Sequence, residues 1–143
     1  MTGLEELRES MAGGTRPGIA ETIGFRLAEV SEGAVVLLSI PGPHLFNPLG
    51  GIHGGFAATL LDSACGLALH ASLPGDQGYA TLEIKVSYLK AITAETGEVR
   101  AQGRVVSVGR RTAFTEATLT DASGRLLATA TSTLLIVDRS AKG

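Results

Sequence analysis

FNPLGGIHGGFAATLLDSACGLAL, residues 46–69, passes from a glycine-rich loop into a run with no solvated face. From Gly54 to about Ser72 the apolar residues Phe56, Ala57, Leu60, Leu61, Ala64, Cys65, Leu67, Ala68 and Leu69 fall on every side of a helix. Such a helix has to be buried on most sides. The run is interrupted by Asp62 and falls short of the roughly 20 apolar residues a membrane span needs, so it predicts a core helix and no membrane partner.

Working outward, Pro41-Gly42-Pro43 and Gly50-Gly51 make residues 41–52 an ordered but irregular loop. Before it, residues 22–30 and 34–40 read as a hairpin around Ser31-Glu32-Gly33. Thr2 followed by Glu5 suits a capping box and predicts a leading helix over 2–12, with GGTRPG as a loop after it. Beyond the breaker Leu73-Pro74-Gly75-Asp76, Leu82, Ile84, Val86 and Tyr88 alternate with Thr81, Glu83, Lys85 and Ser87, which predicts a strand with one buried and one wet face. Three more strands are predicted at about 97–108, 111–121 and 125–137, the last two joined by a turn at Asp121–Gly124. Helix, two strands, apolar helix and four strands with short connections imply an α+β fold whose antiparallel sheet curves around the central helix. Length and a 44% hydrophobic content suit one domain over residues 1–143: helix and loop to 18, core over 19–137, tail over 138–143.

Twelve Lys+Arg against fourteen Asp+Glu leave a formal charge of -2, without the basic excess of a nucleic-acid binder. The lone Cys65 allows neither an intrachain disulfide nor a multi-cysteine metal cluster and fits a reducing compartment. TGLEELRESM lacks the basic and apolar regions of a secretory signal, so a cytoplasmic location is expected. No HExxH pattern or paired cysteine spacing is present, and no metal or cofactor is expected.

Asp62 is the most informative residue, because a carboxylate within an apolar helix incurs a desolvation cost that Leu or Ala would avoid. It is either a reactive carboxylate or an idle one hydrogen-bonded to Thr59 or Ser63 at a subunit seam. His53-Gly54-Gly55 lies where loop becomes helix, so unpaired N–H groups and the helix dipole point at its entrance. That suits an oxyanion hole, although two glycines there also suit tight packing. Asn47 before Pro48 reads as a turn residue by itself, Thr81 as an ordinary strand residue. His44 and His70 have no motif around them.

The 46–69 run resembles the signature of the PaaI-type hotdog-fold acyl-CoA thioesterases, and the resemblance extends over roughly residues 20–137. It implies hydrolysis of an aryl-acetyl or short-to-medium-chain acyl-CoA, in which Asp62 attacks the thioester carbonyl or activates water. The Gly54 amide would hold the carbonyl oxygen, Asn47 would orient substrate or water, and Thr81 would assist the water. His53 and Gly55 would flank the substrate, His53 as a structural group that fixes the loop. Arg110 and Arg111 would border the CoA cleft, where guanidinium groups can meet phosphates. The resemblance also implies a homo-oligomer, at least a dimer and with a dimer of dimers as the larger option. In it, Asn47 and Gly54 of one chain face Asp62 and Thr81 of its partner. A hotdog hydratase is the competing enzyme, but its His five residues after the Asp is Leu67 here. A non-catalytic acyl-CoA-binding or sensing protein is the competing non-enzyme.

Overall fold

The computed structural model describes residues 1–16 and 18–139. Most of the expected tail, 140–143, therefore lies outside the described residues.

Thr2 caps the first helix, α1 (Gly3–Gly13): its hydroxyl accepts the Glu5 N–H at 3.2 Å, while the Glu5 carboxylate accepts the Thr2 N–H at 2.7 Å. Two donors at a helix start are thereby satisfied reciprocally. A one-turn helix, α2 (Ile19–Ile23), comes next, and this corrects the strand expected from residue 22. Thr22 and Ile23 are β-branched and read as strand, but the Thr22 hydroxyl bonds back to the Gly18 carbonyl at 3.3 Å. Gly24, at φ 92°, then closes the turn, so β1 (Phe25–Ser31) begins only at Phe25.

β1 returns as β2 (Ala34–Ser39), and the following loop holds a 3-10 turn at Pro43–Leu45 and a bridge between Phe46 and Ile52. The apolar helix is α3 (Gly54–His70), followed by β3 (Gln77–Tyr88), β4 (Val99–Val108), β5 (Thr112–Asp121) and β6 (Leu126–Asp138). The strands form one antiparallel sheet in the order β1-β2-β4-β5-β6-β3. Register shifts at Leu27–Glu29, Thr81–Glu83 and Val105–Ser107 increase local twist and bend the strands.

The curved sheet wraps α3, leaving Leu60, Leu61, Ala64, Cys65, Ala68 and Leu69 without solvent exposure. This is the hotdog arrangement expected from the sequence. Gly103 of β4 sits directly against the Ala64 carbonyl, where a Cβ has no room, so helix and sheet meet at backbone distance. Leu60 and Leu61 are fully buried in this core, and truncating either to Ala would cost about 2–5 kcal/mol. Cys65 lies in the same layer, and burial pushes its thiol up to about 11. Among the described residues no helix is long and apolar enough to cross a membrane.

α1 is tied to the far end of α3. The Gly3 N–H donates to the Leu73 carbonyl at 2.9 Å, and Leu7 is buried. The Glu6 carboxylate accepts two N–H bonds from Arg139, at 3.0 and 3.2 Å, and lies 3.5 Å from His70 Nε2.

The sheet's two edges differ. β1 packs against α1 and α2, whereas β3 has a partner on one side only, and its other edge is uncovered by any described strand. Three bulky apolar residues along or just beyond it are about half exposed: Leu82, Tyr88 and Leu89.

Candidate active site

Strand β3 reads differently in the structure than its alternation suggests. Thr81 pairs with Leu134 and Glu83 with Thr133, so Leu82 is an extra residue with no partner of its own in the ladder. One inserted residue reverses the in-out parity. On the near side of the bulge, Tyr79 and Thr81 therefore face α3; beyond it, Ile84, Val86 and Tyr88 do. The expectation that Leu82 shares the buried face and Thr81 the wet one is corrected: Leu82 is 55% exposed, and the Thr81 hydroxyl reaches the helix.

What it reaches is Asp62. Thr81 Oγ1 donates to Asp62 Oδ1 at 2.9 Å, so the hydrogen bond that compensates this carboxylate comes from β3. Thr59, one of the two neighbours weighed above, bonds instead to the Gly55 carbonyl at 2.8 Å. Asp62 and Thr81 open onto a cavity of about 320 Å³ between α3 and the α1–α2 segment, with Phe25, Leu37, Leu67 and Tyr79 among its walls. The Tyr79 ring lies across α3 at Gly66, where a Cβ would come within 2.8 Å of it. Burial, and secondarily the Asp62 charge, hold the Tyr79 hydroxyl above the usual phenol range.

The second constellation lies at the start of α3. His53 caps the helix, its Nδ1 accepting the Gly55 N–H at 2.7 Å. An accepting Nδ1 carries no proton, so the ring is the Nε2–H tautomer. Of the N–H groups at the helix entrance, that of Gly55 is thus engaged by His53 and that of Phe56 by the His53 carbonyl. The Gly54 N–H has no partner among the described residues. Asn47 Oδ1 accepts from the Leu49 and Gly51 N–H groups at 2.9 and 3.2 Å, an Asx turn that holds the loop and leaves its Nδ2 without a partner among the described residues. Asn47, His53 and Gly54 border a second cavity of about 270 Å³ with Tyr88, Lys90 and Ile92. The sequence reading missed Tyr88: its hydroxyl donates to the Gly54 carbonyl at 2.6 Å. No local signal marks it, because the alternation treats Tyr88 as one more apolar residue and the acceptor of its hydroxyl lies on another element.

The expected site residues therefore fall into two groups in one chain, Asp62 with Thr81 and Asn47 with His53 and Gly54. Arg110 and Arg111 are exposed in the β4–β5 turn and border neither cavity. Their turn lies at the Thr81 end of the sheet, since Thr112 pairs with Leu135 and Leu135 with Ala80. A third concavity, about 710 Å³, lies on the sheet face away from α3 beside Lys85, Arg104 and Glu116, and holds none of these groups. Among the described residues no cluster of His, Cys, Asp or Glu could hold a metal ion.

Comparison with known proteins gives concordant matches. A sequence model of the Thioesterase superfamily matches residues 49–128. The chain is 27% identical over 119 residues to a 1,4-dihydroxy-2-naphthoyl-CoA hydrolase of Listeria monocytogenes, covering 83% of this chain and 95% of that protein. The crystal structure of a thioesterase family protein from Silicibacter pomeroyi superimposes with a TM-score of 0.83 at 30% identity, covering 95% of this chain and 98% of that one. A phenylacetic acid degradation-related protein from Ralstonia eutropha superimposes with a TM-score of 0.80 at 26% identity, covering 90% and 98%.

Proposed function

We propose, from the premise that this chain belongs to the Thioesterase superfamily and is a thioester hydrolase of the PaaI-like hotdog kind, that Asp62 is its catalytic carboxylate and the Gly54 N–H its oxyanion donor. The substrate is an acyl-CoA with an aryl-acetyl or short-to-medium-chain acyl group. The observation that carries the reading is the 2.9 Å bond from Thr81 to Asp62 Oδ1 at the mouth of an apolar cavity. It fixes one carboxylate oxygen and leaves Oδ2 free to attack the carbonyl carbon or to take a proton from water. Thr81 can in turn accept a hydrogen bond from that water. Thioester cleavage builds negative charge on the carbonyl oxygen, so a pre-aimed N–H at the positive end of α3 favours the transition state over the substrate. The thiolate leaves readily, and water supplies the proton and hydroxyl that complete acid and thiol. Cys65, buried and with its thiol pushed up to about 11, is not a competing nucleophile.

The two groups work together if two chains pair along the open edge of β3. Thr81 and Tyr88 both face α3 and stand seven residues apart on one strand, about 23 Å at strand rise. A two-fold axis crossing β3 between Ile84 and Lys85 sets Thr81 of one chain opposite Tyr88 of the other, bringing Asp62 toward the partner's Gly54. Pairing of this kind also satisfies the free edge. The cavity beside Asp62 is the acyl pocket in this reading. Arg110 and Arg111, about two strand spacings (~10 Å) from β3 at the Thr81 end, are the cations available to the CoA phosphates.

Thiol release from a panel of aryl-, short- and medium-chain acyl-CoAs tests the assignment, comparing wild type with Asp62→Asn at equal oligomer content. A loss of about a hundredfold or more in kcat is expected. Undiminished activity in the variant removes Asp62 from the mechanism, and thiol-free binding by wild type favours an acyl-CoA sensor.

A further inference from the structure

We infer that Tyr88 is a positioning residue for the reaction: with His53 it clamps the Gly54–Gly55 peptide from both sides and so aims the Gly54 N–H. The inference rests on the reading of Gly54 as oxyanion donor.

A peptide plane has one acceptor and one donor, and in this plane both are held by side chains from different parts of the fold. The Gly54 carbonyl accepts from the Tyr88 hydroxyl at 2.6 Å, and the Gly55 N–H donates to His53 Nδ1 at 2.7 Å. The preceding peptide is held by its carbonyl, since His53 O accepts the Phe56 N–H at 3.0 Å, and His53's own N–H donates to Leu45 O at 2.8 Å. Every peptide group around Gly54 is therefore fixed, and its N–H alone is left to a ligand. Consecutive glycines at a helix start would otherwise be the most freely rotating part of the helix, because they lack Cβ atoms and their first N–H groups have no intrahelical partner. A donor that wanders is worth little, since a misplacement of about 1 Å can cost about a hundredfold in rate.

The ring of Tyr88 matters as well as its hydroxyl. A Cβ built on Gly54 would lie 3.3 Å from Tyr88 Oη and 3.4 and 3.5 Å from Cζ and Cε1. The ring thus occupies the side of Gly54 that a larger residue would fill. Tyr88 is 56% exposed in the single chain and lies on the β3 edge where the partner chain is proposed to pair. Its one polar group is committed to this carbonyl. β3 accordingly carries both supports of the reaction, Thr81 for the carboxylate and Tyr88 for the backbone donor.

Tyr88→Phe keeps the ring and removes the bond. It is compared with His53→Ala, the double variant and His53→Asn, whose side-chain oxygen can still accept the Gly55 N–H as a helix cap does. Steady-state thiol release is measured beside amide exchange of 15N-labelled Gly55, with melting temperature and oligomer content checked for each variant. Tyr88→Phe is expected to lower kcat by about 10- to 100-fold with KM within about twofold, and to speed Gly55 exchange. The double variant should lose less than the product of the single losses, because both act on one peptide, and His53→Asn should recover part of the His53→Ala loss. Unchanged kcat in a folded Tyr88→Phe overturns the inference, as does a loss confined to KM, which would make Tyr88 a substrate contact. Asp62→Asn separates the two levels. If it is inactive while Tyr88→Phe is not, only the clamp falls; if it is fully active, the carboxylate assignment falls, and Gly55 exchange still decides the clamp.

Discussion

At Gly54 the proposed reactive group is a backbone N–H, and the peptides around it are held by His53, Tyr88, Leu45 and Phe56. At Asp62, two turns further along the same helix, the proposed reactive group is a side chain with one hydrogen bond, from Thr81, at the edge of an apolar cavity. The first end is polar, made of main chain and over-determined. The second is singly supported and borders a cavity whose walls include Phe25, Leu37, Leu67 and Tyr79. Only proline deletes a backbone donor, and it adds a ring in the same step, so the donor is disturbed more gently through its neighbours, whereas a carboxylate can be removed atom by atom. The two ends consequently invite different experiments.

The sharpest test mixes them. Gly54→Val, whose added side chain meets the Tyr88 ring, and Asp62→Asn should each be nearly inactive alone. Unfolded together and refolded at equal amounts, they should regain about a quarter of wild-type activity, because half of random dimers are mixed and one of their two composite sites is intact. Activity that stays at the level of the separate variants would put both groups to work within one chain and break the cross-subunit reading.

A smaller effect is expected from Thr81→Val, which keeps the shape but not the hydroxyl. Asp62 then loses its one bond while remaining ionisable, and kcat should drop about tenfold, well short of the Asp62→Asn loss. A Thr81→Ser variant near wild type would assign the effect to the hydroxyl.

The smallest effect concerns the docking of α1, which roofs the Asp62 cavity but not the Gly54 one. Hydrogen bonds from Arg139 hold the Glu6 carboxyl below its ordinary value. Its contribution is therefore present above the usual carboxylate range and lost as pH falls through the lowered value. Burial lowers His70 against the opposing pull of Glu6, so the unfolded chain takes up that proton first and stability also falls as pH drops below the ordinary histidine range. Thermal melts through the carboxylate range, below that of His70, should show wild type losing stability more steeply than Glu6→Gln; at higher pH the variant keeps the histidine part, no longer opposed by Glu6. Parallel slopes would mean that the Glu6–Arg139 pair, partly exposed as it is, contributes nothing measurable.

Sequence patterning anticipated the elements whose cause is local. The Thr2–Glu5 capping box, the unbroken apolar surface of α3 and the Asp121–Gly124 turn each follow from residues within a few positions of one another. What eluded it depended on a partner elsewhere in the fold. Leu82 is apolar and sits at an apolar place in the alternation, so nothing in β3 alone marks it as inserted; only the β6 register does. The same blind spot put Thr81 on the wrong face and hid its reach to Asp62. Tyr88 read as one more apolar residue in the pattern because its hydroxyl's acceptor is the carbonyl of Gly54, thirty-four positions away.

The buried position of Cys65 makes the protein a convenient reporter on itself. The reaction proposed for it liberates a thiol, and the only cysteine in the chain is sealed between helix and sheet. Aromatic disulfide reagents should thus colour with product and leave the folded catalyst untouched, so that no protein background needs subtraction. For the same reason, released coenzyme has no accessible sulfur here with which to form a mixed disulfide. Any slow labelling of Cys65 would time the opening of the layer between α3 and the sheet, a clock for global unfolding that requires no engineered probe.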